Sequence, residues 1–99
     1  MQRLTLYEDV FDALKKGKLT TIRKGRRDIA LGMLLFESTD TKRKQIVEVI
    51  MVYYTRLENV NTEDVKNDGF NDHLDMWEKM KIFYPSIELE DEVTVVKFR

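Results

Sequence analysis

A chain of 99 residues with no cysteine and a single proline has room for one modest core, and it excludes a disulfide framework and thiolate metal sites. Apolar residues make up 42% and charged residues 35%, which excludes a disordered chain, and no apolar run reaches the length of a membrane span. The net charge of −1 hides an asymmetry: residues 1–57 hold 12 Lys and Arg against 7 Asp and Glu, whereas residues 58–99 hold 5 against 11, which predicts opposite surfaces if the two halves separate in space.

The N-terminal "MQRLTLYEDVF" carries acids where a signal peptide needs an apolar stretch, so a soluble, cytoplasmic protein with no membrane partner is expected. Thr5 and Glu8 form a T-x-x-E capping box, which predicts a helix from there, with Leu6, Val10, Phe11 and Leu14 on its apolar stripe. Lys15 and Lys16 suit its last turn, and Gly17 suits the left-handed C′ position that ends it. "LTTIR" then reads as a short strand, "KGRRD" as a loop and "IALGMLLFES" as a buried strand. After the polar turn "TDTKRK", "QIVEVIMVYYTRL" predicts a long, bent strand paired with the one before it.

"ENVNTEDVKNDGFND" is polar, with room for a helical turn near Thr62. A further helix, capped by Asn71 or Asp72, carries Leu74, Met76, Trp77, Met80, Phe83 and Tyr84 as a wide apolar stripe and must stop before Pro85. "DEVTVVKFR" closes as a strand, with Val93 and Val95 on one face and Thr94, Val96 and Phe98 on the other. The order is helix, three or more strands, helix, strand. It predicts one α+β domain over residues 1–99 with a mostly antiparallel sheet that curls toward a barrel.

Five cations in "GKLTTIRKGRR", with Lys42, Arg43 and Lys44 in the predicted turn, suit a groove for a phosphate backbone. Tyr53, Tyr54 or Trp77 would then stack on a base, although Trp77 and the methionines at helical spacing also read as core. His73 has no serine or cysteine motif beside it, so neither a Ser-His-Asp triad nor a histidine metal site is expected. No metal and no cofactor is predicted. Asp68 before Gly69 reads first as an ordinary turn residue.

Taken in order, the helix, "KGKLTTIR", the strand pair, "DGF", the short helix, "YP" and the final "VVKF" resemble the ASCH domain family, from about Leu4 to Phe98. Lys18, Thr21 and Arg23 match its G-x-K-x-x-T-x-R pattern. Gly17 lies one residue late, with Lys16 in the pattern's glycine place, and Gly32 is followed by Met33 where members commonly carry Gly-Asp. The resemblance implies a small PUA-like β-barrel fold with its pocket between "GKLTTIR" and "NDGF", near the Tyr84–Pro85 end of the helix. It also implies a further possibility, because some small bacterial members deacetylate N4-acetylcytidine with a Lys, a Thr and a Glu. Here Lys18 and Thr21 match, and Asp68 is the nearest acid, one methylene shorter.

On chemical grounds, a threonine nucleophile needs a base, and a lysine serves only if burial or neighbouring cations push its ammonium toward neutrality. Lys18 and Thr21 share a pocket only if the chain turns between them; Thr21 and Arg23 share a strand face. The leading expectation is binding of RNA or a modified nucleoside or nucleotide, with Arg23, Lys24, Arg26, Arg27, Gly69, Phe70 and Tyr84 around the ligand. An amidohydrolase using Lys18, Thr21 and Asp68 is the alternative, and a non-enzymatic protein-interaction module a second one.

Overall fold

The first strand comes before the first helix. The computed structural model describes the backbone of residues 1–99 and every side chain except those of Glu8 and Asp9. The elements run β1 (Arg3–Leu6), α1 (Glu8–Lys15), β2 (Thr20–Lys24), β3 (Gly32–Ser38), β4 (Lys44–Arg56), a 3-10 turn (Leu57–Asn59), α2 (Thr62–Asn67), α3 (His73–Phe83) and β5 (Glu92–Phe98). The expected helix start at Thr5 is thereby corrected. Thr5 lies in β1, where Leu4 and Leu6 are buried and Arg3 and Thr5 exposed, and Tyr7 holds the N-cap position of α1 without a side-chain cap bond. The Glu8 half of the expected capping box lies outside the described residues. Residues 3–6 alternate with the period of a strand, and parallel pairing with β3, a partner remote in sequence, overrides the local helix signal.

The sheet order is β1-β3-β4-β5-β2, with β1 and β3 parallel and the other neighbours antiparallel. Residues 44–49 of β4 pair with β3, and residues 49–56 pair with β5, with a register shift between Val49 and Met51. Handing one strand from one neighbour to the next makes the sheet stagger and curl, and the bulge sharpens the bend. Bulge and stagger are the physical form of the long, bent strand expected from the sequence.

Each face of the curl carries its own core. Val96 and Phe98 of β5 join Leu4, Leu6, Phe11, Leu34 and Phe36 on one side; Val93 and Val95 join Ile22, Leu57, Val65, Met76 and Met80 on the other. A central strand buried on both faces explains why "VTVV" is apolar without a gap apart from Thr94. That threonine is fully buried, accepting from the Arg27 amide at 2.8 Å and donating to the Gly25 carbonyl at 2.7 Å. Helix α3 is capped by Asp72, whose carboxylate accepts from the Asp75 amide at 2.8 Å. Its buried stripe is narrower than expected: Met76 and Met80 are inside, whereas Leu74 and Phe83 are exposed.

The two oppositely charged halves interleave. Strand β5, from the acidic half, sits between β4 and β2 from the basic half. Pairs such as Lys18 with Asp68, Arg26 with Glu92 and Arg99 with Glu48 cross between the halves.

Candidate functional site

Two helix ends build the site. After α1, Gly17 takes a positive φ of 96°, its amide donates to the Leu14 carbonyl at 3.4 Å, and the Lys18 amide donates to the Ala13 carbonyl at 3.1 Å. After α2, Gly69 takes a φ of 106°, its amide donates to the Lys66 carbonyl at 2.9 Å, and the Phe70 amide donates to the Val65 carbonyl at 3.1 Å. Both are Schellman motifs, in which the residue after the glycine commonly folds an apolar side chain back onto the helix. Phe70 does this, packing on the core that contains Val65. Lys18 holds the equivalent place after Gly17 and carries an ammonium inward instead.

The two ends are tied together through backbone. The Leu19 amide donates to the Asn67 carbonyl at 3.1 Å, and the Leu19 carbonyl accepts from the Phe98 amide at 3.0 Å. Lys18, 6% exposed, thereby meets Asp68: its Nζ forms an ion pair with Asp68 Oδ1 and donates to the Asp68 carbonyl at 3.3 Å. Asp68 Oδ2 accepts from the Ile22 amide at 3.2 Å, so both carboxylate oxygens are engaged. Burial first, and the Arg23 cation second, push the Lys18 ammonium down to about 7. The Asp68 carboxylate and the carbonyl ends of the two helices favour the charged form and work against that shift.

Thr21, also buried, accepts from Arg23 Nε at 3.2 Å, and Arg23 Nη2 donates to the Thr5 carbonyl at 3.1 Å. The strand period puts Thr21 and Arg23 on one face, and the turn at Gly17 and Lys18 brings the lysine to it. Burial, with the Arg27 charge behind it, holds the Arg23 guanidinium below the usual arginine range, against an opposing pull from Tyr84.

These groups line one pocket of about 580 Å³. Of the residues singled out in the sequence, Lys18, Thr21, Arg23, Asp68, Gly69, Phe70 and Tyr84 lie in its wall. Sequence reasoning missed Tyr7 and assigned Phe83 to the core. Their rings stack at the pocket's edge with centroids 5.0 Å apart and planes 27° apart. The signal for both was an aromatic ring at the very end of a helix, where the apolar stripe no longer fixes a direction.

Lys24, Arg26 and Arg27 lie outside the pocket wall. Arg26 pairs with Glu92 at 3.0 Å and covers the Tyr54 ring at 4.0 Å, and Arg27 Nε donates to the Lys24 carbonyl at 3.3 Å. Arg43 in the hairpin turn pairs with Asp12, and Lys44 at the start of β4 pairs with Glu37 at 3.5 Å. The expected stacking rings have other work. Tyr53 donates to Asp64 at 2.6 Å, Tyr54 to the Arg27 carbonyl at 2.9 Å, and Trp77 Nε1 to the Ile87 carbonyl at 3.1 Å. His73 Nε2 is 2.6 Å from the Val60 carbonyl. Among the described residues, no group of three or more His, Cys, Asp or Glu could hold a metal, and no helix is long and apolar enough to cross a membrane.

The architecture is similar to that of an ASCH domain from Lactobacillus crispatus JV V101, with a TM-score of 0.70 and 15% identity over 99% of this chain and 79% of that one. It is similar also to an ASCH protein from Zymomonas mobilis, with a TM-score of 0.69 and 12% identity over 98% of this chain and 65% of that one. A tyrosine-to-phenylalanine mutant of the Zymomonas protein gives 0.69 and 11%, over 98% and 67%. No protein-family model matches the sequence, and no curated protein does. The mixed, curled sheet with its three helices is thus the small α+β, PUA-like fold of an ASCH domain.

Proposed function

We propose that the pocket binds a nucleobase-containing ligand, either a modified nucleoside or nucleotide or an unstacked residue of RNA. The observation that carries this reading is the meeting of the buried Lys18–Asp68 pair, Thr21 and Arg23 in one cavity of about 580 Å³ with aromatic walls. That volume lies in the range of small-molecule sites, roughly 300–1,000 Å³, where apolar walls supply area and a few polar groups fix orientation. Rings at the edge offer a stacking surface tolerant of any base, and the lysine and carboxylate together offer both a donor and an acceptor to a base edge. An ASCH fold is consistent with a general RNA-binding or small-molecule-processing module.

One observation favours a catalytic extension, the amidohydrolase that the sequence resemblance implies. An amine pushed to about 7 is available as a base near neutral pH, and it shares a pocket with a threonine whose Oγ1 already accepts from a guanidinium. In this reading Lys18 takes the Thr21 hydroxyl proton as Oγ adds to the acyl carbonyl. The C–N bond then breaks while the Lys18 ammonium returns that proton to the departing amine. Water hydrolyses the threonyl ester with Lys18 again as base, and Asp68 holds the ammonium each time it forms.

The test is incubation with N4-acetylcytidine, following cytidine release by chromatography, with Lys18→Ala alongside and calorimetric binding of both nucleosides. Release by the wild type alone supports the hydrolase. Saturable binding without turnover leaves the binding reading standing, and an absence of both removes it.

A further inference from the structure

Among the described residues, every charge that lines the pocket has a counter-charge except one. Lys18 and Asp68 neutralise each other, and Lys79 pairs with Asp75 at 3.2 Å. Arg23 makes no ion pair among the described residues. Its partners are neutral: the Thr21 hydroxyl at 3.2 Å and the Thr5 carbonyl at 3.1 Å. A guanidinium has five N–H donors in a rigid fork, so most of its donor capacity is unused. Removing a cation from water costs several kcal/mol unless an opposite charge meets it. A half-buried guanidinium without an acid, in the wall of an open cavity, is therefore an incomplete ion pair.

We propose that the ligand of this pocket carries a phosphate group and that this group seats on Arg23. The inference rests on the nucleobase reading above and narrows it, from nucleosides in general to those bearing a phosphate. The planar fork of Arg23 matches two phosphate oxygens at once, which a lysine ammonium does not do. Hydrogen bonds to Thr21 and Thr5 hold the fork in place beforehand, so little side-chain freedom is lost on binding. The phosphate is the monoester of a free nucleotide or the diester of an RNA chain; the seat is the same.

Arg23 also gives the site a built-in reporter. Its charge is one of the two causes that lower Lys18, so an anion on the guanidinium must raise the Lys18 titration midpoint.

The experiment has two arms. In the first, calorimetry compares cytidine, cytidine 5′-monophosphate and a cytidylyl dinucleotide on the wild type and on Arg23→Gln. The monophosphate is expected to bind roughly tenfold or more tightly than cytidine. Arg23→Gln is expected to erase that ratio, whatever it does to the affinity for cytidine itself. A dinucleotide that binds as tightly as the monophosphate assigns the diester as source; a weaker one assigns the monoester. Equal affinity for cytidine and its monophosphate, or a ratio that survives Arg23→Gln, overturns the proposal and leaves the nucleobase reading intact.

The second arm needs neither a variant nor a nucleobase. The Lys18 Nζ titration is followed by NMR with and without inorganic phosphate, at constant ionic strength. An upward shift of the midpoint supports the anion seat even if no nucleoside binds, in which case the nucleobase reading fails alone. An unmoved midpoint overturns the proposal, including when Arg23→Gln does not fold.

Discussion

Lys18 and Arg26 come from the same basic stretch of sequence, and each meets an acid from the other half of the chain. Lys18 does so at 3% side-chain exposure against Asp68 at 9%; Arg26 does so at 62% against Glu92 at 46%. Water and salt screen the second pair and leave it close to neutral in effect. The first pair cannot be screened, so its charges constrain the fold, and its proton is held by a balance between desolvation and the carboxylate. A run of cations in a sequence thus states a composition. Burial decides which of them becomes a site, and here the turns at Gly17 and Gly69 decide burial.

The sharpest way to break the contrast is to remove one member of the buried pair. Asp68→Ala leaves Lys18 inside without a counter-ion and the Ile22 amide without its acceptor. A loss of about 3 kcal/mol is expected, read as a lower urea midpoint at unchanged slope. Adding Lys18→Met should recover much of it, because the uncompensated charge goes with the side chain. A single-variant loss below about 1 kcal/mol would mean that the pair behaves as an exposed one does.

Asp68→Asn sharpens the comparison through pH. It removes the carboxylate that favours the charged Lys18 and leaves burial and Arg23, the causes that bring it down to about 7 even with the carboxylate present. The unfolded chain keeps that proton up to the usual lysine value of 10.5, so between the two values the unfolded state binds more protons than the native state. Stability of the wild type must therefore rise with pH from about 7 to 10.5, Asp68→Asn must carry the rise to lower pH, and Lys18→Met must flatten it. Denaturation midpoints across that range check the sign. A stability of Asp68→Asn that stays flat across that range would show Lys18 retaining its proton without the carboxylate.

The same contrast explains what the sequence disclosed. Its local rules were strong where a single residue fixes the backbone. Gly17 ended α1, Asp72 capped α3 and Pro85 bounded its far end, and the alternation along the final strand assigned both of its faces correctly. Residues 3–6 failed because a weak alternation competed with a plausible capping box, and only the remote partner β3 settles that competition. Lys18, Thr21 and Arg23 stood out by their pattern, but the meeting of Lys18 with Asp68 depends on two helix ends being tied through Leu19, which no local spacing encodes. Charge halves misled because β5 threads between β4 and β2.

A smaller effect is expected at the second buried acid. Asp64 is 2% exposed, accepts from Tyr53 at 2.6 Å and pairs with Lys97 at 3.1 Å. It sits one helical turn before Asp68 on α2, so it fastens to the sheet the helix that presents Asp68. Burial first, then the bond to Asp64, pushes the Tyr53 hydroxyl up to about 12. Tyr53→Phe removes one of the two partners and leaves the lysine, for a loss of about 1 kcal/mol in chemical denaturation. If Lys97 and Tyr53 act independently, the double variant with Lys97→Met adds the single losses; a larger combined loss would locate the fastening of α2 in the pair acting together.

The smallest effect belongs to Arg26. Its pair with Glu92 and its place over the Tyr54 ring are both at the surface, so Arg26→Gln should leave the melting temperature within scatter. Its effect on ligand is the more telling comparison, since Arg23 and Arg26 are three residues apart and equal in formal charge. If the ligand lies in the pocket, Arg26→Gln leaves cytidine monophosphate affinity nearly unchanged at physiological salt, while Arg23→Gln does not. Equal losses from the two substitutions, both growing as salt is lowered, would put the ligand across the basic loop. Arg23 would then be one phosphate contact among several.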